Sequence, residues 1–299
     1  MANWNWLFAL ILLGIWNPFT GFAQQQEVDY EYLPVIEHPL FEAGKGPLIL
    51  VDNGHHNFHT LEGKFAPFGQ IAELNGFQVK SISTHPLSQQ ALKSAKILVI
   101  ANALHAKNVD HWSRPIFPAF TAAEIEVIRD WVAHGGHLFL IADHMPFAGA
   151  VANLALAFGF TLFDGFAYCK PNQKFDIFSL ENGMLEQHAL NKDIDSIVSF
   201  TGHAFRIPED AISIITLDSS YKLLMPETAW EFSRDMEMLP AGGLSQLAYS
   251  NYGSGKIIMA GEAAMFTAQK AGAVRFGLNA AFAPNNLTLL LHLLKWLSE

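Results

Sequence analysis

Histidine and carboxylate side chains recur in this chain directly after short apolar runs, and each such place is a candidate for chemistry. Asp52-Asn53-Gly54-His55-His56-Asn57-Phe58-His59 follows one run, Asn102, His105, Asp110 and His111 follow another, and Asp143-His144 and Gly261-Glu262 close two more. Imidazole and carboxylate together suit a divalent metal such as zinc. They suit acid–base work near neutral pH equally well. In the metal reading His55 and His59 are the ligands, with Asp143 or His144 and Glu262 completing a set that leaves room for an activated water. A His-x-x-x-His spacing is diagnostic on a helix, whereas this one falls in a loop. In the metal-free reading Asp143, His144 and Glu262 are the catalytic candidates. Asp52, His56, Asn57, Phe58 and His203 are then candidates for ligand binding. Phe58, Phe147 and Trp112 offer stacking faces for a sugar or another polyol. The plainer alternative is that Asp143 and Asn53 cap turns and the histidines are satisfied sheet-edge residues.

The elements that must hold these residues alternate. Pro47–Asp52, Phe77–Ser83, Lys96–Ala101 and His137–Asp143 read as strands, three of them continuous apolar runs of the kind covered on both faces. A helix through Phe65, Phe68, Ile71 and Leu74 is expected to end at Gly76. Thr121 and Glu124 form a capping-box pair ahead of Ile125, Ile128, Trp131 and Val132, and Gly135-Gly136 closes that helix. Ala148 to Phe158 and Asn285 to Leu297 carry further helical patterns. Ile212–Leu217, Tyr221–Met225, Leu244–Ser250 and Lys256–Ala260 are strand candidates, with a hairpin turn at Gly253-Ser254-Gly255. Alternating strands and helices imply an α/β fold with a mainly parallel sheet. In such sheets ligands bind beyond the carboxyl ends of the strands, where the polar residues above gather. Residues 165–240 are irregular and read as an insertion.

Composition bounds the partners. Of 299 residues, 51% are hydrophobic, enough for a large core, and the formal charge is −10. An acidic chain has no basic patch for nucleic acid or an anionic membrane surface. Trp6 to Trp16 is an apolar run too short to anchor in a bilayer; Pro18 and Gly21 break it, and Gly21-Phe22-Ala23 suits signal-peptide cleavage after Ala23. The expectation is a periplasmic or secreted protein with no stable membrane anchor, a leader at 24–46 and one domain over 47–299. The single cysteine, Cys169, allows no internal disulfide and follows no strand-to-helix elbow.

Three motifs together carry a resemblance. Asp52-x-Gly54-His55-x-Asn57-x-His59, Gly135-Gly136-x-Leu138-x-Leu140-Ile141-Ala142-Asp143-His144-Met145-Pro146-Phe147 and Gly261-Glu262-Ala263-Ala264-Met265-Phe266 resemble a poorly characterised bacterial group. It belongs to the class I glutamine-amidotransferase-like superfamily, near the trehalose-utilisation-type proteins. The resemblance implies a flavodoxin-like three-layer sandwich. That superfamily's amidotransferases place a nucleophilic cysteine at a turn after a central strand, and the comparable turn here holds Asp143-His144-Met145. The resulting expectation is a hydrolase-like enzyme without a cysteine nucleophile, metal-assisted or not, acting on a carbohydrate or other polar cell-envelope substrate. The alternative is a non-catalytic ligand-binding or scaffolding domain on the same fold.

Overall fold

The computed structural model describes residues 26–169 and 175–299. The signal-peptide reading therefore lies outside the described residues. The main sheet has nine strands: β1 (Leu48–Asp52), β2 (Gln78–Ile82), β3 (Ile97–Ala101), β4 (His137–Ile141), β5 (Thr161–Leu162), β6 (Phe205–Arg206), β7 (Ile212–Thr216), β8 (Ser245–Tyr252) and β9 (Gly255–Ala260). Their order is β2-β1-β3-β4-β9-β8-β6-β5, with β7 also pairing β8. The first five in that order are parallel to one another. The other four pair antiparallel.

The sheet is thus mixed, more evenly than the expected mainly parallel one. Tyr252 pairs with Gly255 across a two-residue turn, and so short a connection forces β8 to run back along β9. Gly253 takes a φ of 59° at that turn, a conformation that costs glycine least.

Helices cover both faces of the parallel half: α1 (Ala66–Leu74), α2 (Ala122–Ala133), α3 (Phe147–Leu156) and α4 (Asn286–Ser298). Alternation along the strands divides the core accordingly. Ile49, Val51, Val99, Phe139 and Ile258 pack with Phe68 and Ile71 of α1 and with Leu289, Leu290, Leu293, Leu294 and Leu297 of α4. Leu50, Leu98, Leu138, Leu140 and Met259 pack on the other side with Ile128 and Val132 of α2 and Val151 and Leu154 of α3. Every residue of β3 and β4 is buried, which is why those segments read as unbroken apolar runs. The capping box is present: the Thr121 side chain accepts from the Glu124 backbone, and Glu124 accepts from the backbone N–H of Thr121.

The irregular middle of the chain gives β6 and β7 to the main sheet and builds two small sheets besides, so residues 165–240 are not a wholly separate insertion. Phe166–Tyr168, Lys222–Met225 and Glu237–Pro240 form an antiparallel trio, and Asp176–Ser179 pairs with Ser196–Ser199. At the amino-terminal side, Glu27–Val28 adds to a hairpin of Ala268–Ala271 and Val274–Gly277. No helix among the described residues is long and apolar enough to cross a membrane.

Candidate active site

β1, β3, β4 and β9 run the same way, so their carboxyl ends deliver the segments after residues 52, 101, 141 and 260 to one rim. From β1 the chain first goes outward to β2 and then crosses to β3 on the other side. That reversal opens the crevice in which ligands of such sheets bind.

Asn102 ties the rim together. Its φ is 51°, in the left-handed region that asparagine tolerates. Its backbone N–H donates to Ile141 and its carbonyl accepts from Phe58. Its side-chain Oδ1 accepts the backbone N–H of Asp143 at 2.8 Å. The amide nitrogen therefore faces His59 Nδ1 at 2.9 Å and donates to it. This fixes the tautomer: the proton of the neutral ring sits on Nε2. Burial, helped by the charges of Lys64 and His144, holds the His59 pKa well below the ordinary histidine value. His59 Nε2 is buried and has no hydrogen-bond partner among the described residues.

The next turn supplies the complementary group. His144 Nδ1 lies 2.6 Å from the Met145 carbonyl and must donate to it, so the neutral ring presents a lone pair at Nε2. That nitrogen is 4.0 Å from Asp143 Oδ1. Burial lowers the His144 pKa, while Asp143 and the Met145 carbonyl oppose the shift. Asp143 Oδ1 in turn accepts from the His144 backbone at 2.8 Å and from Thr201 Oγ1 at 3.0 Å.

Aromatic rings surround this acceptor. His144 stacks on Phe166 at 4.4 Å and 12°, meets Trp230 edge-on at 4.6 Å, and has Trp112 and Phe147 beside it. Phe58 packs on both Trp112 and Phe147 yet stays 39% exposed, which leaves part of an aromatic surface open to solvent beside them. Lys64 Nζ lies over Phe58 at 4.2 Å. Burial lowers its pKa, and Asp143 opposes that shift.

Glu262 and His203 form the buried backing. Glu262 accepts the N–H groups of Ala264 and Met265, each at 2.8 Å. Burial and the neighbouring Asp143 charge nevertheless push its pKa well above the usual carboxylate range. His203 is fully buried, and burial drives its pKa down to about 3, with backbone carbonyls of Gly261, Ala142 and Asp143 opposing.

The rim therefore brings together His59, Phe58, Asp143, His144, His203 and Glu262 from the sequence-based set. Asp52, the last residue of β1, and His55 and Asn57 of the loop that follows turn inward. His55 Nδ1 meets both Asp52 oxygens at 2.9 and 3.0 Å, and Asn57 Nδ2 donates to Asp52 Oδ2 at 3.0 Å. His56 is exposed, with a φ of 46°. His55 and His59 do not converge as one ligand pair. The His55 ring packs against Phe120, Glu124 and His85, whereas His59 packs against Phe58, Phe65 and Asn102. Two histidines four positions apart in one loop face opposite ways, and they cannot both serve one ion without unmaking those bonds.

Lys64, Thr201, Phe166 and Trp230 were not singled out from sequence. Lys64 sits in a polar stretch with no recognisable motif. The other three come from segments whose only signal was irregularity. Cys169 lies in that middle region, with Sγ 3.1 Å from Ser220 Oγ.

The fold is similar to that of several solved structures. The mmIFT52 N-terminal domain superposes with a TM-score of 0.61 at 14% identity, over 84% of this chain and 97% of that one. Cytoplasmic protein STM1381 from Salmonella typhimurium LT2 gives 0.53 at 13%, over 84% and 99%. A ThuA-like protein from Bacteroides uniformis gives 0.44 at 14%, over 89% and 94%. No family model and no curated protein matches the chain. Likeness at these identities is a likeness of fold.

Proposed function

We propose that this is a hydrolase-like acid–base enzyme for a carbohydrate or other polar ligand, working without a thiol nucleophile at the rim of a flavodoxin-like, three-layer scaffold. The apolar amino-terminal run adds the expectation that it works in the periplasm or outside the cell. The observation that carries the reading is the 2.6 Å bond from His144 Nδ1 to the Met145 carbonyl. It leaves Nε2 as a lone pair among aromatic rings, next to a carboxylate. A water donates its proton to that nitrogen as its oxygen bonds to an electrophilic carbon. The bond from that carbon to the leaving-group oxygen breaks, and the ring then returns the proton to the departing oxygen. The imidazolium so formed is held between the Met145 carbonyl and the Asp143 carboxylate. Negative charge developing on the substrate oxygen meets the His59 Nε2–H and the Lys64 ammonium, donors already in place and largely desolvated. Burial and the Asp143 charge push the Glu262 pKa up, which favours its neutral form and limits the negative charge beside Asp143. Phe58, Trp112 and Trp230 supply flat faces of the kind a pyranose ring stacks on.

A panel of nitrophenyl glycosides, acetyl esters and cell-envelope oligosaccharides tests this. His144→Phe keeps the ring stack and removes the acceptor. Turnover of any active substrate should fall by at least about 100-fold in that variant and in Asp143→Asn. Full turnover in both would overturn the assignment. Calorimetric binding of an oligosaccharide with no turnover by the native protein would instead establish the ligand-binding alternative.

A further inference from the structure

On the opposite side of the 53–59 loop three ligand-type atoms converge. His55 Nε2 lies 3.0 Å from Glu124 Oε1, His85 Nδ1 lies 3.2 Å from His55 Nε2, and His85 Nδ1 lies 3.3 Å from Glu124 Oε1. We propose that His55 Nε2, His85 Nδ1 and Glu124 Oε1 form a binding site for one divalent transition-metal ion of the zinc class.

The triangle has the dimensions that such an ion requires. Ligand atoms about 2.0–2.1 Å from a tetrahedral zinc ion stand about 3.3–3.4 Å from one another. The three edges here, 3.0, 3.2 and 3.3 Å, need almost no rearrangement to reach that value. Protons can satisfy the two edges that end on Glu124, but not the nitrogen–nitrogen edge at the same time. A single cation at the centre satisfies all three.

The surroundings match as well. Metal-bound histidines hand their other ring nitrogen to a carboxylate, which fixes the tautomer. His55 Nδ1 does this with Asp52, whose position is held in turn by Asn57 Nδ2 and the Gly54 N–H. Glu124 is held by the Thr121 N–H and hydroxyl on Oε2 and by the Leu87 N–H on Oε1. Glu124 and His55 are buried, whereas the His85 side chain is 52% exposed. Two ligands are thus preset within the fold and the third closes the set from solvent, leaving a fourth position for water. His55 comes from the loop after β1, His85 from the one after β2, and Glu124 from the first turn of α2. This site uses none of the groups assigned to the cluster around His144.

The test uses the full chain, freed of metal by chelator and carrying no histidine tag, titrated with zinc against a chromophoric chelator. One equivalent should bind, and His85→Ala should weaken that binding by at least about 10-fold. Because His85 is half exposed, that variant is expected to fold, which circular dichroism verifies. His59→Gln, in the other cluster, should bind zinc as the native chain does. Cobalt substituted for zinc should give the visible bands of a tetrahedral ion, absent in His85→Ala. No stoichiometric binding, or equal affinity in His85→Ala, would overturn the site. Neither result bears on turnover at His144, so the two assignments fail separately.

Discussion

Asn102 Oδ1 accepts the backbone N–H of Asp143 at 2.8 Å, so the turn that carries His144 is fastened to the end of β3 as well as to its own strand. The same amide sets the His59 tautomer from its other side. One left-handed residue thus orients a donor and an acceptor that come from different loops.

Removing that amide should cost stability and binding together. Asn102→Gly keeps the backbone conformation and loses both side-chain bonds, an expected loss of about 1–3 kcal/mol for buried polar partners left unsatisfied. Asn102→Ala should lose about 1 kcal/mol more, because alanine resists a φ of 51°. Urea unfolding of the two variants measures the difference; equal midpoints would mean that the backbone conformation carries no cost.

On the proposed function, the pH dependence of turnover follows from His144. Only its neutral form accepts a proton, and burial lowers its pKa from the ordinary 6.5. The acid limb of kcat/KM should therefore bend below pH 6.5. The Asp143 charge raises this pKa, so in whatever activity Asp143→Asn retains, the limb should move to still lower pH. A limb that moves up would contradict the arrangement.

Acid should also weaken the fold through two buried histidines. His203 titrates at about 3 in the folded protein, His137 at about 4, and both near 6.5 when unfolded. The unfolded chain binds their protons first as pH falls. The contribution of these two histidines is complete above pH 6.5. It is lost progressively toward pH 4 for His137 and pH 3 for His203, at up to about 1.4 kcal/mol per pH unit each, while the raised pKa of Glu262 acts in the opposite sense. Unfolding free energies measured at pH 7 and pH 5 isolate the effect by comparison: the loss on acidification should be smaller in His203→Gln than in the native protein, and an equal change in both would contradict it.

Backbone approach at the rim can be tested at Gly202. Its φ is 127°, and a Cβ there would stand 2.5 Å from the Gly261 carbonyl oxygen. Gly202→Ala should destabilise by more than about 2 kcal/mol. Gly183→Ala is the control: φ is 74° with nothing within 4 Å of the added atom, so only the conformational cost of about 1–2 kcal/mol applies. Thermal midpoints that fall equally would remove the close approach as a cause.

Much of the scaffold was readable because its signals are local. Apolar runs gave β1, β3 and β4 nearly to the residue, and Thr121 with Glu124 marked the start of α2. The meeting of the 55–59 loop with the 143–144 turn followed from strand direction alone. What no local pattern announces is a partnership across the chain. Glu124 reads as a helix cap, and it is one, yet its other oxygen reaches His55, 69 residues away. The aromatic wall of Phe166 and Trp230 was equally silent, since it depends on how the middle segment folds back.

That wall stands apart from the parallel strands in its hydrogen bonding. Phe166 belongs to the small antiparallel trio with Lys222–Met225 and Glu237–Pro240, and Trp230 lies in the stretch between the last two. On the proposed function, the groups that would shape the ligand and those that would move the proton come from different sheets, joined where the Met145 N–H donates to the Gly165 carbonyl. Exchanging residues 222–240 for another sequence would redraw what fits against His144 while leaving the bonds of Asn102, Asp143 and Met145 as they are.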